Sequence, residues 1–360
     1  MKRFAVSSCD PAAARAAEKA HVGRIECTDG LLHKPFLAGT SHDIDRALID
    51  MEIFSAMIAC LPCGSGALVL DIGAGPCWVS DWLQRLNFRT CSIDLAADML
   101  AIGLRRLRPG SPVCAGDMAQ LPLRDGVADA VVCYSALHHV PNWRNAIAES
   151  FRVLKPGGVL VLQEPGRGHS RQSESIAQME QFGGLDQDLP PRRLARVCRT
   201  TGFSRVIVRP VAELSFGRTR LMPPYPLALL PHAPRLFAGR RYTRIKAALI
   251  EGLLNLLQPL HIVVAAKGDI WPDSRRPETM TVRFKRVACP DRATPGQSIP
   301  FSVSVINTGV TRWLARTDGP RPGQVRLGIS LLDAQHKLLA LDHYRCDLPR
   351  DVVPGETIEI

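Results

Sequence analysis

From Ala67 to Lys267 the chain alternates short apolar, β-branched runs with stretches whose apolar residues recur every three or four positions. The first kind reads as strands, the second as amphipathic helices. Strands are predicted at Ala67–Ile72, Arg89–Leu95, Val113–Gly116, Asp129–Ser135, Val159–Glu164, Ser204–Val211 and His261–Lys267. Helices are predicted between them at Val79–Leu86, Ala97–Leu107, Trp143–Leu154 and Leu189–Thr201, with another before them at Ile44–Leu61. Such alternation forces parallel βαβ units with helices on both sheet faces. The expected fold is therefore α/β, with a seven-stranded Rossmann-like sheet.

The glycine turn after the first strand narrows the ligand. Val69-Leu-Asp-Ile-Gly-Ala-Gly75 leads a strand into a turn where backbone can approach a ligand closely. A dinucleotide fingerprint would be G-x-G-x-x-G. Here Gly73 and Gly75 fit, but Trp78 holds the third position and Asp71 precedes the glycines. A carboxylate there disfavours a pyrophosphate and favours a sulfonium cofactor carrying an ammonium group, so S-adenosylmethionine is preferred over a nicotinamide. Asp94 closes the second strand and can accept both hydroxyls of a ribose. Asp117, in Gly116-Asp-Met-Ala-Gln-Leu-Pro122, can accept from an adenine amino group, and Met118 can pack on the ring.

The order of these pieces resembles the class I S-adenosylmethionine-dependent methyltransferases, their type 11 branch most of all. Asp71-Ile-Gly-Ala-Gly75, Asp94, Gly116-Asp117 with Leu121-Pro122, Tyr134-Ser-Ala-Leu-His-His-Val140 and Arg152-Val-Leu-Lys-Pro-Gly-Gly158 carry it. The resemblance is strong over Ala67–Leu162 and weaker to Gly268. It implies that Asp71, Gly73 and Gly75 line the methionine part, Asp94 the ribose, and Asp117 and Met118 the adenine, with Tyr134 also at the cofactor. Cys77 stands where the family often has a third glycine. In methyl transfer the protein positions the acceptor and removes its proton where needed. His139, His138 and Glu164 are the candidate bases, lying where parallel strands end at the crevice, with His169 further off.

Around this sheet the expected organisation is an N-terminal cap with a helix (1–66), the cofactor-binding domain (67–268), a linker at 269–279 and an all-β module at 280–360. An insertion, 212–260, is apolar and basic together and is expected to lie as a lid over the acceptor. The last module shows strand runs and Pro/Gly/Asn turns, and reads as a small antiparallel sandwich that is incomplete at Ile360. Val305-Ile-Asn-Thr-Gly309, Trp313, Val325-Arg-Leu-Gly328 and Leu348-Pro-Arg-Asp-Val-Val-Pro-Gly355 resemble Ig-like modules appended to bacterial polysaccharide-modifying enzymes. That resemblance implies a glycan, lipid-linked precursor or other small molecule as acceptor.

Formal charge is +11, which favours anionic partners without choosing among nucleic acid, an acidic membrane face and a phosphorylated substrate; the basic, apolar insertion 212–260 suggests peripheral contact with an anionic membrane. Base-amino methylation would call for Asn/Asp-Pro-Pro-Tyr after the fourth strand, where this chain has Cys133-Tyr-Ser-Ala136. Cys133 lies in the strand rather than in a Pro-Cys loop, so nucleic acid is disfavoured. A non-catalytic scaffold that merely binds the cofactor is the remaining rival. The 11 cysteines show no framework spacing, and the first 20 residues carry no secretory h-region, so a cytoplasmic chain is expected. Cys60-Leu-Pro-Cys63 lacks a second pair or a histidine at zinc spacing, and no metal is expected.

Overall fold

The computed structural model describes residues 10–20, 29–36, 41–210, 215–216, 219–220, 260–294, 296–316 and 322–360. The described chain forms two compact units, one of residues 1–61 with 67–269, the other of 62–66 with 270–360.

The first unit is built on seven strands: β1 (Leu68–Ile72), β2 (Arg89–Asp94), β3 (Val113–Ala115), β4 (Ala128–Tyr134), β5 (Leu154–Pro165), β6 (Arg205–Pro210) and β9 (Leu260–Ala266). A two-residue hairpin, β7 (Ser215–Phe216) with β8 (Thr219–Arg220), stands apart from the sheet. The strand order is β3-β2-β1-β4-β5-β9-β6. Parallel pairing joins β1 to β2 and β4, β2 to β3, and β4 to β5. The departure is β9, which runs antiparallel to both β5 and β6. Strand runs of β1 and β4 are apolar almost throughout because both faces are covered, which is what a central parallel strand requires.

The helices are α1 (Pro11–Lys19), the single turn α2 (Asp29–Leu32), α3 (Ser41–Ala59), α4 (Trp78–Arg85), α5 (Ala97–Leu104), α6 (Trp143–Val153), α7 (Ser173–Phe182) and α8 (Pro191–Thr201). Of these, α4 and α5 pack on β2, α3 and α6 on β5, and α8 on β6 and β9. One core joins Leu70, Ile72, Val131, Leu160, Leu162 and Val263 of the strands to Trp143, Ile147 and Leu194 of the helices. Sequence patterning foretold neither α1 nor α7. It also began the fifth strand at Val159, whereas β5 already opens at Leu154, directly after α6.

The second unit holds two antiparallel sheets. One has the order β10 (Val282–Ala288), β11 (Ser302–Asn307), β14 (Thr357–Glu359); the other pairs β12 (Arg326–Leu332) with β13 (Leu338–Asp347). Val303, Val305, Trp313, Leu348, Val352 and Ile358 form its core. Asn307 is fully buried and donates from Nδ2 to the carbonyls of Thr311 and Val352, which fixes the turn after β11. Residues 269–279, expected as a linker, are largely built into this unit. Buried Asp273 pairs with Arg275 at 2.6 Å and bridges to Arg312, and its amide donates to the Pro62 carbonyl. A Pro- and charge-rich stretch is a linker only if its charges stay in water, and Asp273 and Arg275 do not. The insertion expected at 212–260 lies outside the described residues, apart from the hairpin and Leu260.

Candidate active site

A crevice opens where β1, β2, β3 and β4 end, at the point where strand order reverses between β1 and β4. It is lined by Gly73, Asp94, Leu95, Gly116, Asp117, Met118, Ala136, His139, Val140 and Pro141, with Arg15 and Glu18 of α1.

Its floor is the glycine turn. The amides of Gly73 and Ala74 donate to the Ile93 carbonyl, bracing the turn against β2. Gly73 sits at φ +70°, and a Cβ there would collide with Ala136 and lie 2.9 Å from Met118 Cε. Gly75 is also left-handed, and its amide donates to Asp94 Oδ2 at 2.7 Å. Cys77, in place of a third glycine, takes φ +56° at the start of α4. Its side chain is accommodated by Gly103 of α5, where any Cβ would collide with Cys77 Sγ. The glycine this turn lacks is thus supplied by the facing helix.

Asp94 lines the crevice. Each carboxylate oxygen accepts one backbone amide, from Gly75 and Ala96, which leaves a lone pair on each for a ligand. Burial pushes its pKa up while those amides pull it down. Asp117 and Met118 stand across the crevice, with Met118 only 9% exposed. Asp117 accepts from the Ala119 amide and pairs with Arg15 at 2.7 Å. Sequence reasoning missed Arg15 and Glu18. Asp10 capping α1 and Pro11 at its first turn were the available signal, but they announce a helix and not where it packs.

Three expected cofactor or base residues are turned to other work. Asp71 does not line the crevice. It is 1% exposed, accepts from Ser80 Oγ at 2.7 Å, and Ser80 in turn accepts from Ser92. Burial, opposed by the Ser80 hydrogen bonds, pushes its pKa up to about 7. Tyr134 donates its hydroxyl to Asp50 of α3 at 2.5 Å and stacks edge-on against Trp78, so it ties α3 to the sheet. Glu164 is buried; it accepts the backbone amides of Ala136, Leu137 and His138 and meets His138 Nδ1 at 2.7 Å. A carboxylate so occupied is a brace for the turn after β4 and not a base open to an acceptor.

The two neighbouring histidines separate cleanly. His138 is 3% exposed and is not among the residues lining the crevice, with burial and then the neighbouring His139 pushing its pKa down. His139 lines the crevice, and its Nδ1 lies 2.8 Å from the Leu185 carbonyl. A carbonyl only accepts, so Nδ1 carries the proton and Nε2 keeps its lone pair. Cys133, weighed as a nucleophile for base methylation, is fully buried, and burial together with Glu164 pushes its thiol pKa well up.

Residues 70–162 match the family described as "Methyltransferase domain". A demethylmenaquinone methyltransferase of Thermobifida fusca is 38% identical over 113 residues, 30% of this chain and 48% of that protein. A ubiquinone biosynthesis O-methyltransferase of Burkholderia pseudomallei is 31% identical over 159 residues, 41% of this chain and 68% of that protein. Phosphoethanolamine N-methyltransferase 2 of Haemonchus contortus, solved with S-adenosyl-L-methionine, aligns with a TM-score of 0.41 at 18% identity, over 60% of this chain and 52% of that one. The chain spans about half or less of the length of the first curated relatives it matches.

Proposed function

The chain belongs to the S-adenosylmethionine-dependent methyltransferases, and from that premise we propose that it methylates a small-molecule acceptor held in the crevice beside His139. One observation carries the reading: Gly73, Asp94, Asp117 and Met118 share a cavity with a histidine whose Nε2 is left as an acceptor.

The residues present fit the cofactor. The absent side chain of Gly73 keeps the floor between Ala136 and Met118 clear. The free lone pairs of Asp94 suit two vicinal ribose hydroxyls, and the Met118 side chain suits an adenine face. Bound S-adenosylmethionine supplies a methyl group already activated by its sulfonium. His139 holds its ring fixed through Leu185 and takes the proton of the acceptor at Nε2. Positioning is the larger part of the task, since in-line displacement depends on orienting the acceptor.

The acceptor we assign is a glycan, a lipid-linked precursor or a comparable small molecule. Two relatives carry names that refer to quinone methylation, which supports a small acceptor. The Ig-like resemblance of 280–360 supports a surface-directed one. Among the described residues no helix is long and apolar enough to cross a membrane. The test uses S-adenosylmethionine labelled at its methyl group, incubated with the chain and cell extract and then fractionated. Label in lipid or glycan fractions, lost with His139→Gln, is expected. Label confined to RNA, or no transfer at all, overturns the reading.

A further inference from the structure

Three segments distant in the chain bring His138, His169 and Asp186 together. His138 follows β4, His169 lies in a 3-10 turn after β5, and Asp186 sits between α7 and α8. Nε2 of His169 is 2.9 Å from Oδ1 of Asp186, and Nε2 of His138 is 3.6 Å from the same oxygen. One ligating atom from each residue falls within 4.8 Å of the others. The side chains of His138 and Asp186 are each 4% exposed and that of His169 24%, so the group is closed on one side and reachable on the other.

Nδ1 of His138 faces Glu164, which as a carboxylate only accepts, so Nδ1 carries the proton and Nε2 presents a lone pair. Nδ1 of His169 lies 3.3 Å from Gln172 Oε1, and its Nε2 is in hydrogen-bond reach of Asp186 Oδ1, a contact whose proton a bound ion would displace. Ser175 Oγ stands 3.5 Å from that Nε2, at the edge of hydrogen-bond range. Oδ1 of Asp186 is buried beside both Nε2 atoms. Two imidazole nitrogens and a carboxylate oxygen thus converge in one largely buried place.

We propose that His138, His169 and Asp186 bind one divalent transition ion of the zinc type. Two imidazole nitrogens and a carboxylate oxygen are a donor set for such ions, and leave a position for water on the His169 side. Bonds of about 2.0–2.2 Å would set tetrahedral ligand atoms roughly 3.4 Å apart, close to the spacings of both histidines from Asp186. Glu164 and Gln172 back the two histidines, as partners behind metal-bound imidazoles do. The ion would clip the turn after β4 to the segment before α8. Those same segments carry His139 and Leu185, whose hydrogen bond fixes the His139 tautomer. Binding of the ion stands independently of methyl transfer; only its effect on His139 rests on that reading.

The experiment uses the untagged full chain, stripped with chelator and titrated with Zn²⁺ by calorimetry and with Co²⁺ by visible absorption. One equivalent is expected, with weak Co²⁺ bands of nitrogen and oxygen ligation. Asp186→Asn and His169→Gln should weaken Zn²⁺ by more than about 100-fold, and Glu164→Gln by about 10- to 100-fold. Unchanged binding in Asp186→Asn, or no stoichiometric binding by the wild type, overturns the site. Should the variants not fold, the wild-type Co²⁺ spectrum decides: intense sulfur charge-transfer bands would place the ion on cysteines and refute it.

Discussion

Replacing Asp71 with Asn should make the protein more stable at neutral and alkaline pH, and the gain should grow with pH. The carboxyl is fully enclosed, and its pKa of about 7 stands some three pH units above the ordinary 3.8. Because the folded state binds this proton more tightly than the unfolded chain, the contribution is greatest below about pH 4. It is lost as pH rises through 7, then stays level. At 1.36 kcal/mol per unit, ionised Asp71 costs about 4 kcal/mol, of which about 2.5 kcal/mol develops between pH 5 and pH 8. Asn keeps an oxygen to accept from Ser80 and the Ser92–Ser80 chain behind it, while carrying no charge. Urea unfolding of both proteins, without ligand, at pH 5, 6.5 and 8 measures the difference. Circular dichroism at 222 nm reports the first unit, which holds every helix among the described residues. Taking the difference cancels the other titrating groups. A gap between variant and wild type that stays constant from pH 5 to 8 would refute the claim that Asp71 ionises at a cost.

Asp94→Ala should weaken S-adenosylmethionine binding by about ten- to a hundred-fold in calorimetry, the loss of charge-assisted hydrogen bonds of about 1.5–3 kcal/mol. His139→Gln should lower kcat by about 10²- to 10⁴-fold while leaving cofactor affinity unchanged. Gly103→Ala should destabilise the first unit by about 1–3 kcal/mol in denaturant titrations, through overpacking against Cys77. Adding Cys77→Gly to Gly103→Ala should restore most of that loss, because it removes the obstructing thiol together with a left-handed non-glycine residue.

Much of the first unit could be read from short apolar runs bounded by glycines, because a strand covered on both faces leaves that imprint. The same holds for Gly73 and Asp94, whose place after a strand is a matter of local order. The direction of β9 could not be read so, since a strand has the same pattern in either sense. Glu164, Tyr134 and Asp71 were misjudged for a related reason. Residue type and strand position put them near the crevice, but only the folded chain shows the amides, the Asp50 carboxylate and the Ser80 hydroxyl that claim them. Arg15 reaches Asp117 from more than a hundred positions away, and no periodicity encodes such a meeting. The helix α7 mixes Ser, Gln and Glu with few apolar residues, so its imprint was faint.

The antiparallel course of β9 has a consequence for how such a chain diversifies. Pro210, at the end of β6, pairs with His261, and Leu260 pairs with Pro165 at the end of β5. The chain therefore leaves the sheet after β6 and rejoins it at β9 on the same edge, the edge where the crevice opens. Residues 211–259 are an excursion whose two anchors are already fastened side by side. Doubling the length of such an excursion costs only about 0.6 kcal/mol in closure entropy. The chain joining these two anchors can be exchanged, lengthened or cut without moving β6 or β9 out of register.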